Sequence, residues 1–210
     1  MDDFERDLNT LLDRFDEPGD RVRRELERLR TNLLTLRSEN RVKINHSVME
    51  LVCAKYLIEG GFRIDLEHPL NGLTCDVYGV KGFGTLIVEI ETGFIPPKHA
   101  LNPLTYVKAR IASKLIRYGN HANKFGIGTP PHYVLQIPSV LTKPPRFRTQ
   151  DELVEIKALC NHYYTSPPIT LEEIKNTRLH AVYVIDVDGL TVDETDPETY
   201  LERVPSTSSP

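Results

Sequence analysis

The stretch from Thr74 to Thr92, TCDVYGVKGFGTLIVEIET, constrains this chain more than any other. Cys75, Val77, Leu86, Val88 and Ile90 alternate with Thr74, Asp76, Tyr78, Ile87, Glu89 and Glu91. A period of two sends each set to its own face of a strand pair, so the stretch is read as a β-hairpin with one apolar face. The other face carries three carboxylates. Strand interiors are depleted in Asp and Glu. Acids converging there need water, partner cations or a metal ion, and the metal reading leads.

The burial pattern requires a register with Asp76 opposite Glu89, because a slip of one residue would mix the faces. Directly opposed residues have Cβ atoms roughly 5 Å apart. Two carboxylates that close repel unless one is protonated or a positive group lies between them. A hard divalent cation with oxygen ligands suits the pair, and Mg²⁺ is the usual one near phosphates. Glu91, two residues further along the same face, is a candidate to bind the metal, to hold a second ion or to accept a proton from water.

Around the hairpin the chain is mostly helical. Phe4, Leu8, Leu11 and Phe15 predict a helix over residues 2–16, which Pro18-Gly19 ends. Val22, Leu26, Leu29, Leu33 and Leu36 predict a second over residues 21–38, with Asp20 as its cap. This helical hairpin, residues 1–40, has a narrow apolar seam that must be buried. The first helix, the rest of the domain and a second copy of the chain are the candidates, and homodimerisation is favoured. A helix over residues 44–60, a strand over Phe62–Glu67 and a turn at Pro69–Gly72 lead into the hairpin. Beyond it come a helix over residues 99–119 with a stripe of Leu104, Val107, Ile111, Leu115 and Tyr118, then a central strand at Tyr133–Ile137. Helices over residues 150–163 and 170–177 follow, the second capped by Thr170 with Glu173, and then a strand at Leu179–Val187. The α/β body spans residues 41–190, and residues 191–210 read as an acidic, then Ser/Pro-rich tail. The order argues for an α/β sandwich on a mixed sheet flanked by helices.

Charge is partitioned sharply. The net charge of −4 conceals a segment, residues 92–148, with nine Lys and Arg and no acid. Lys98, Lys108, Arg110, Lys114, Arg117, Lys124, Lys143, Arg146 and Arg148 lie in it. Such a window suggests a face for a polyanion. His99, His121 and His132 read as polar surface or loop residues. No apolar run reaches bilayer length, and the three cysteines lack metal-ligand spacing, which points to an intracellular, cytoplasmic protein with reduced thiols.

Two further elements bear on the acids. Glu50 lies mid-helix among Val48, Met49, Leu51 and Val52, on a helix expected to pack on the sheet; a metal-facing and an exposed orientation are equally compatible with that position. Lys114 and Lys108 flank the stripe of the helix after the hairpin. Lys114 ranks first because it shares its side with Arg110 and Arg117.

Glu50 on a helix, Asp76 in the second strand, Glu89-Ile-Glu91 in the third and a helix after them resemble the PD-(D/E)XK nuclease superfamily, whose core order is αβββαβ. Within it the pattern is most similar to archaeal Holliday junction resolvases, and more loosely to nuclease-like proteins of archaeal viruses. The resemblance implies a restriction-endonuclease-like fold over residues 44–137. It implies that Asp76, Glu89 and the Ile90 carbonyl hold Mg²⁺, with Mn²⁺ as the alternative, and that Glu50 completes the shell directly or through water. The family's lysine is expected at position 91, where this chain has Glu91. Some restriction endonucleases with this variant are active, and others with broken motifs are not. A Lys from the following helix, Lys114 foremost, is the expected substitute. The proline expected before the Asp is replaced by Cys75.

The function so implied is metal-assisted phosphodiester hydrolysis in branched or nicked DNA, in replication, recombination or repair, by a homodimer. The alternatives are a DNA-binding protein on a nuclease fold disabled by Glu91, and an interaction protein working through its N-terminal seam.

Overall fold

A computed structural model describes residues 2–16 and 18–203. A six-stranded mixed sheet runs in spatial order β1 (Arg63–Leu70), β2 (Leu73–Lys81), β3 (Gly84–Ile90), β4 (Lys124–Thr129), β5 (Ala181–Asp186) and β6 (Thr191–Thr195). The first three strands form an antiparallel meander, β3 to β5 are parallel, and β6 returns antiparallel. Asn71-Gly72 and Gly82-Phe83 are two-residue turns, with positive φ at Asn71, Gly72 and Gly82. The parallel pairs need crossovers. Helix α4 (Pro103–Tyr118) supplies the first, and α5 (Ser139–Thr142), α6 (Gln150–Tyr163) and α7 (Leu171–Asn176) lie along the second. Helices α1 (Asp3–Arg14), α2 (Asp20–Ser38) and α3 (Ile44–Glu59) precede the sheet, and α8 (Pro197–Arg203) ends the described chain.

Leu86, Ile87 and Val88 alternate between two apolar cores, one on each face of the sheet. Helices α1–α3 pack with Ile64, Val77, Leu86, Val88 and Ile90. Helices α4, α6 and α7 pack with Ile87, Phe125, Ile127 and Val182. Both faces of the hairpin are therefore covered, and the acids lie at the end of a buried sheet. Cys75, which alternation pairs with Val77, lies in the second core instead. The β2–β3 ladder stops at Val77↔Val88, and strict alternation has no hold beyond it.

The N-terminal seam closes on its own domain. Phe4, Leu8, Leu11, Leu26, Leu29 and Leu33 are buried in one core with α3 and the sheet. The seam is thus not a free arm awaiting a second copy. Three other expectations are corrected. Gly19, not Asp20, is the N-cap of α2, and Asp20 is the first helical residue, where its charge still suits the helix dipole. Helix α4 begins at Pro103 rather than residue 99, after a 3₁₀ turn at Pro97–His99; proline fits the first helical position and disfavours helix just before it. Leu104, assigned to the buried stripe, is exposed.

The fourth strand is Lys124–Thr129, not Tyr133–Ile137, which is irregular although Leu135 and Ile137 are buried. Glycines disguise the true strand. A Cβ on Gly126 would lie 2.5 Å from the Tyr183 ring, and one on Gly128 would lie 2.7 Å from Ile90 and Ile185. Packing demands glycine where strand propensity disfavours it. Residues 191–203 are not a tail. β6 pairs with β5, and Asp196 accepts hydrogen bonds from the Glu198 and Thr199 N–H groups at the start of α8. The Ser/Pro-rich end, residues 204–210, lies outside the described residues.

Candidate functional site

Carrying the Val77↔Val88 register one step further sets Asp76 across from Glu89. There side chains take over from the ladder. The Asp76 N–H donates to Glu89 Oε1 at 3.1 Å, and the Ile90 N–H donates to Asp76 Oδ2 at 2.5 Å. Each acid holds the other's strand. On the far side β3 stays paired to β4, through Ile90↔Gly128 and the Glu91 N–H to the Gly128 carbonyl.

Lys114 reaches this point from α4. Its Nζ donates to the Ile90 carbonyl at 2.7 Å and lies 3.2 Å from Glu89 Oε2 and 3.6 Å from Asp76 Oδ2. The ammonium therefore touches all three groups expected to hold a metal. Burial works against its charge, but Asp76 and Glu89 outweigh burial and hold the proton more firmly than usual. Burial, then Asp76, pushes the Glu89 carboxyl up to about 8, against the pull of Lys114.

Glu50 is on α3, a helix buried all round from Met49 to Ala54, and is itself 0% exposed. No N–H or hydroxyl donor reaches either of its carboxylate oxygens, and the Glu67 carboxyl is its hydrogen-bonding neighbour. Burial and then the charges of Asp76, Glu67 and Glu89 raise its pKa well above the ordinary range. Two residues absent from the sequence reading join it. His46, one turn earlier on α3, has its pKa lowered chiefly by burial, which favours the neutral imidazole. Glu67, at the matching position of β1, has its carboxyl pushed to about 7 by burial and then by Asp76. His46, Glu50 and Asp76 each offer a ligand atom within 4.8 Å of the others. Spacing held signals for both. His46 and Glu50 are i and i+4 on one helix face. Glu67 falls across from Asp76 once the Asn71-Gly72 turn fixes the β1–β2 register.

Glu91 is in the same region but turns to other partners. Its Oε1 accepts from Arg110 Nη2 at 2.5 Å and from the Gly93 N–H at 2.9 Å. Gly93 has φ +80°, and a Cβ there would lie 2.4 Å from the Tyr133 ring, so the chain leaves the sheet through a position only glycine fills. Arg110 also donates to the Phe94 carbonyl.

The basic segment separates in three dimensions. Arg148 is buried and donates to the carbonyls of Leu141, Lys143, Ile174, Lys175 and Thr177, so it is a strut and not a nucleic-acid contact. Arg110 holds Glu91, Arg117 donates to the Pro167 carbonyl at 3.1 Å, and Lys143 pairs with Glu152. Lys98, Lys108, Lys124 and Arg146 are exposed. Lys124 begins β4 opposite Leu86, at the other end of β3 from Glu89. A cavity of about 210 Å³ beside Lys114 is lined by Arg110, Ser113, Arg117, Tyr118 and Tyr164.

The donor set fits a divalent ion in part. Asp76, Glu89 and the Ile90 carbonyl are satisfied by Lys114, whereas Glu50 has oxygens that no N–H or hydroxyl donor reaches and neighbours able to share an ion.

What fold and site define is an α/β protein with a buried acidic cluster, partly neutralised by one lysine, where β2 and β3 part. No family model matches the sequence, and no curated protein does either. Among solved structures, SfsA of Pyrococcus furiosus, in complex with Ca²⁺, is similar over 70% of this chain and 59% of its own, at 14% identity and a TM-score of 0.29. The chain thus spans less than two thirds of SfsA, and so loose a likeness carries no residue of one protein onto the other. Among the described residues no helix is long and apolar enough to cross a membrane.

Proposed function

We propose that this chain is a metal-dependent nuclease that hydrolyses phosphodiester bonds in DNA, acting on branched or nicked duplex in recombination, replication or repair. One observation carries the reading: Asp76, Glu89 and Lys114 meet in a fold whose order is helix, three strands, helix, strand, beside the buried carboxyl of Glu50, which no N–H or hydroxyl donor reaches. The chemistry that a divalent ion supplies at such a cluster is polarisation of the scissile phosphate and acidification of a water. The chain's own groups bind and orient. Asp76 and Glu89 fix the Lys114 ammonium, which faces the charge that develops on the phosphate. Arg110 and Arg117 line the cavity beside it, whose size and charge suit a phosphate. Exposed Lys98 and Lys108 would neutralise flanking phosphates. A dimer, which paired cuts across a junction require, has to use a face other than the N-terminal seam, since that seam is buried in its own core.

Cleavage of linear, nicked and four-way DNA by wild type and Asp76→Ala tests the proposal. The expected result is ion-dependent cutting of the nicked or four-way substrate that falls by about 100-fold or more in the variant. Equal cutting by both proteins defeats the assignment. A second reading, DNA binding without cleavage, is favoured by the ammonium on Asp76, Glu89 and Ile90. It predicts salt-sensitive binding that survives Asp76→Ala, with no cleavage by either form.

A further inference from the structure

The resemblance in sequence would set a divalent ion on Asp76, Glu89 and the Ile90 carbonyl. In this chain the Lys114 ammonium is already there, 2.7–3.6 Å from all three oxygens. It is itself enclosed by α4 and the end of β3. A second cation at that point would meet one full positive charge at contact distance and would have to displace it. The unmet demand for positive charge lies one step away. Glu50 is fully buried, no N–H or hydroxyl donor reaches either of its oxygens, and its polar neighbour is another carboxyl, that of Glu67. Asp76 and the imidazole of His46 each offer a co-ligand, the three ligand atoms lying within 4.8 Å of one another. Donors bonded to one ion at about 2.0–2.2 Å stand roughly 3–3.5 Å apart, so binding would draw these three side chains together by an ångström or so.

We infer that Lys114 is the resident cation of the Asp76–Glu89–Ile90 position, and that a single divalent ion binds beside it on His46, Glu50 and Asp76, with Mn²⁺, Co²⁺ or Zn²⁺ preferred to Mg²⁺. The preference follows from ligand chemistry. Mg²⁺ takes oxygen and water in strict octahedral geometry, whereas an imidazole nitrogen with two carboxylates is a donor set for first-row transition ions. The two carboxylates balance the ion's charge, and Asp76 is shared between ion and ammonium, which ties the two cations together. The inference deepens the nuclease reading by naming its ion, and rests on it for the ion's use.

Calorimetric titration of the metal-stripped chain with Mn²⁺, Zn²⁺ and Mg²⁺, with the visible spectrum of the Co²⁺ form, tests it. The wild type is expected to bind one Mn²⁺ or Zn²⁺ about 10-fold or more tighter than Mg²⁺. His46→Ala and the isosteric Glu50→Gln should each weaken Mn²⁺ and Zn²⁺ by about 10-fold or more and alter the Co²⁺ spectrum, with Mg²⁺ little affected by His46→Ala. Lys114→Met, which vacates the ammonium position, should add a second ion per chain. Mg²⁺ bound tightest and indifferent to both His46→Ala and Glu50→Gln overturns the inference, as does a stoichiometry that stays at one in Lys114→Met. Circular-dichroism melting identifies any variant that does not fold, and Glu50→Gln keeps the test decisive if His46→Ala fails. A chain that binds the ion as described but cuts no DNA defeats the nuclease reading alone; Mg²⁺-dependent cutting untouched by His46→Ala defeats this inference alone.

Discussion

Glu91 shows how much a single side chain decides here. It stands where the resembled family carries a lysine, yet its carboxylate is 4% exposed and held by Arg110 and the Gly93 N–H. The ammonium beside Asp76 and Glu89 comes from Lys114 on α4, and Glu91 organises the turn that follows the strand. Arg110→Ala should therefore strand a buried charge and cost about 3–5 kcal/mol. Glu91→Gln in the same chain should restore much of that loss, so a double-mutant cycle by urea unfolding is expected to show strong coupling. Protonation is decided at the same scale. Glu89 and Glu67 have folded-state values of about 8 and about 7, above an ordinary value of 4.5. The folded chain thus holds more protons than the unfolded one between pH 4.5 and about 8, and stability falls as pH rises through that window. Melting of the metal-free protein should show a lower midpoint at pH 8 than at pH 5, and Glu89→Gln should flatten the dependence.

At the scale of elements, α2 and β4 carry the main lessons. The α2 seam was legible as apolar spacing, but spacing does not say what it faces. Leu26, Leu29 and Leu33 meet α1, α3 and the sheet of their own chain. Leu29→Ala should cost about 2–5 kcal/mol, as for a well-packed core leucine. The unfolding midpoint should not vary with protein concentration, which a dimer built on this seam would require. β4 lacks a strand signature because its sequence, KFGIGT, gives up side chains to make room for its neighbours. Glycine at positions 126 and 128 lets Tyr183, Ile90 and Ile185 pack across the strand, and no single-sequence pattern announces that need. The hairpin's strands and the opposition of Asp76 to Glu89, by contrast, are legible because period-two alternation is a local property, whereas the second core that covers the acid face and takes Cys75 is not.

For the molecule as a whole, the basic segment shows that charge along a chain is not charge on a face. Of its nine cations, Lys114, Arg110 and Arg148 serve the interior. Lys98 and Lys108 remain exposed near the loop and helix that flank the acids. Replacing both with alanine should weaken DNA binding alike on all sequences and reduce the slope of log K against log salt by about 2. Arg148→Ala should instead lower stability, since it leaves five carbonyls without their donor. Filter binding over a salt series, paired with melting curves, separates the two outcomes.

The sequence by itself determined the local elements: the acidic hairpin, the helix carrying Glu50, the helix carrying Lys114 and the opposition of Asp76 to Glu89. Each follows from a short period and from the burial that period implies. Only the tertiary structure decided where the hairpin's acids find their charge. Lys114 came to Asp76 and Glu89, Arg110 to Glu91, and His46 with Glu67 to Glu50. Those partners come from helices and strands brought together only by packing on both faces of the sheet, and Coulomb interactions depend on distance in space, not along the chain.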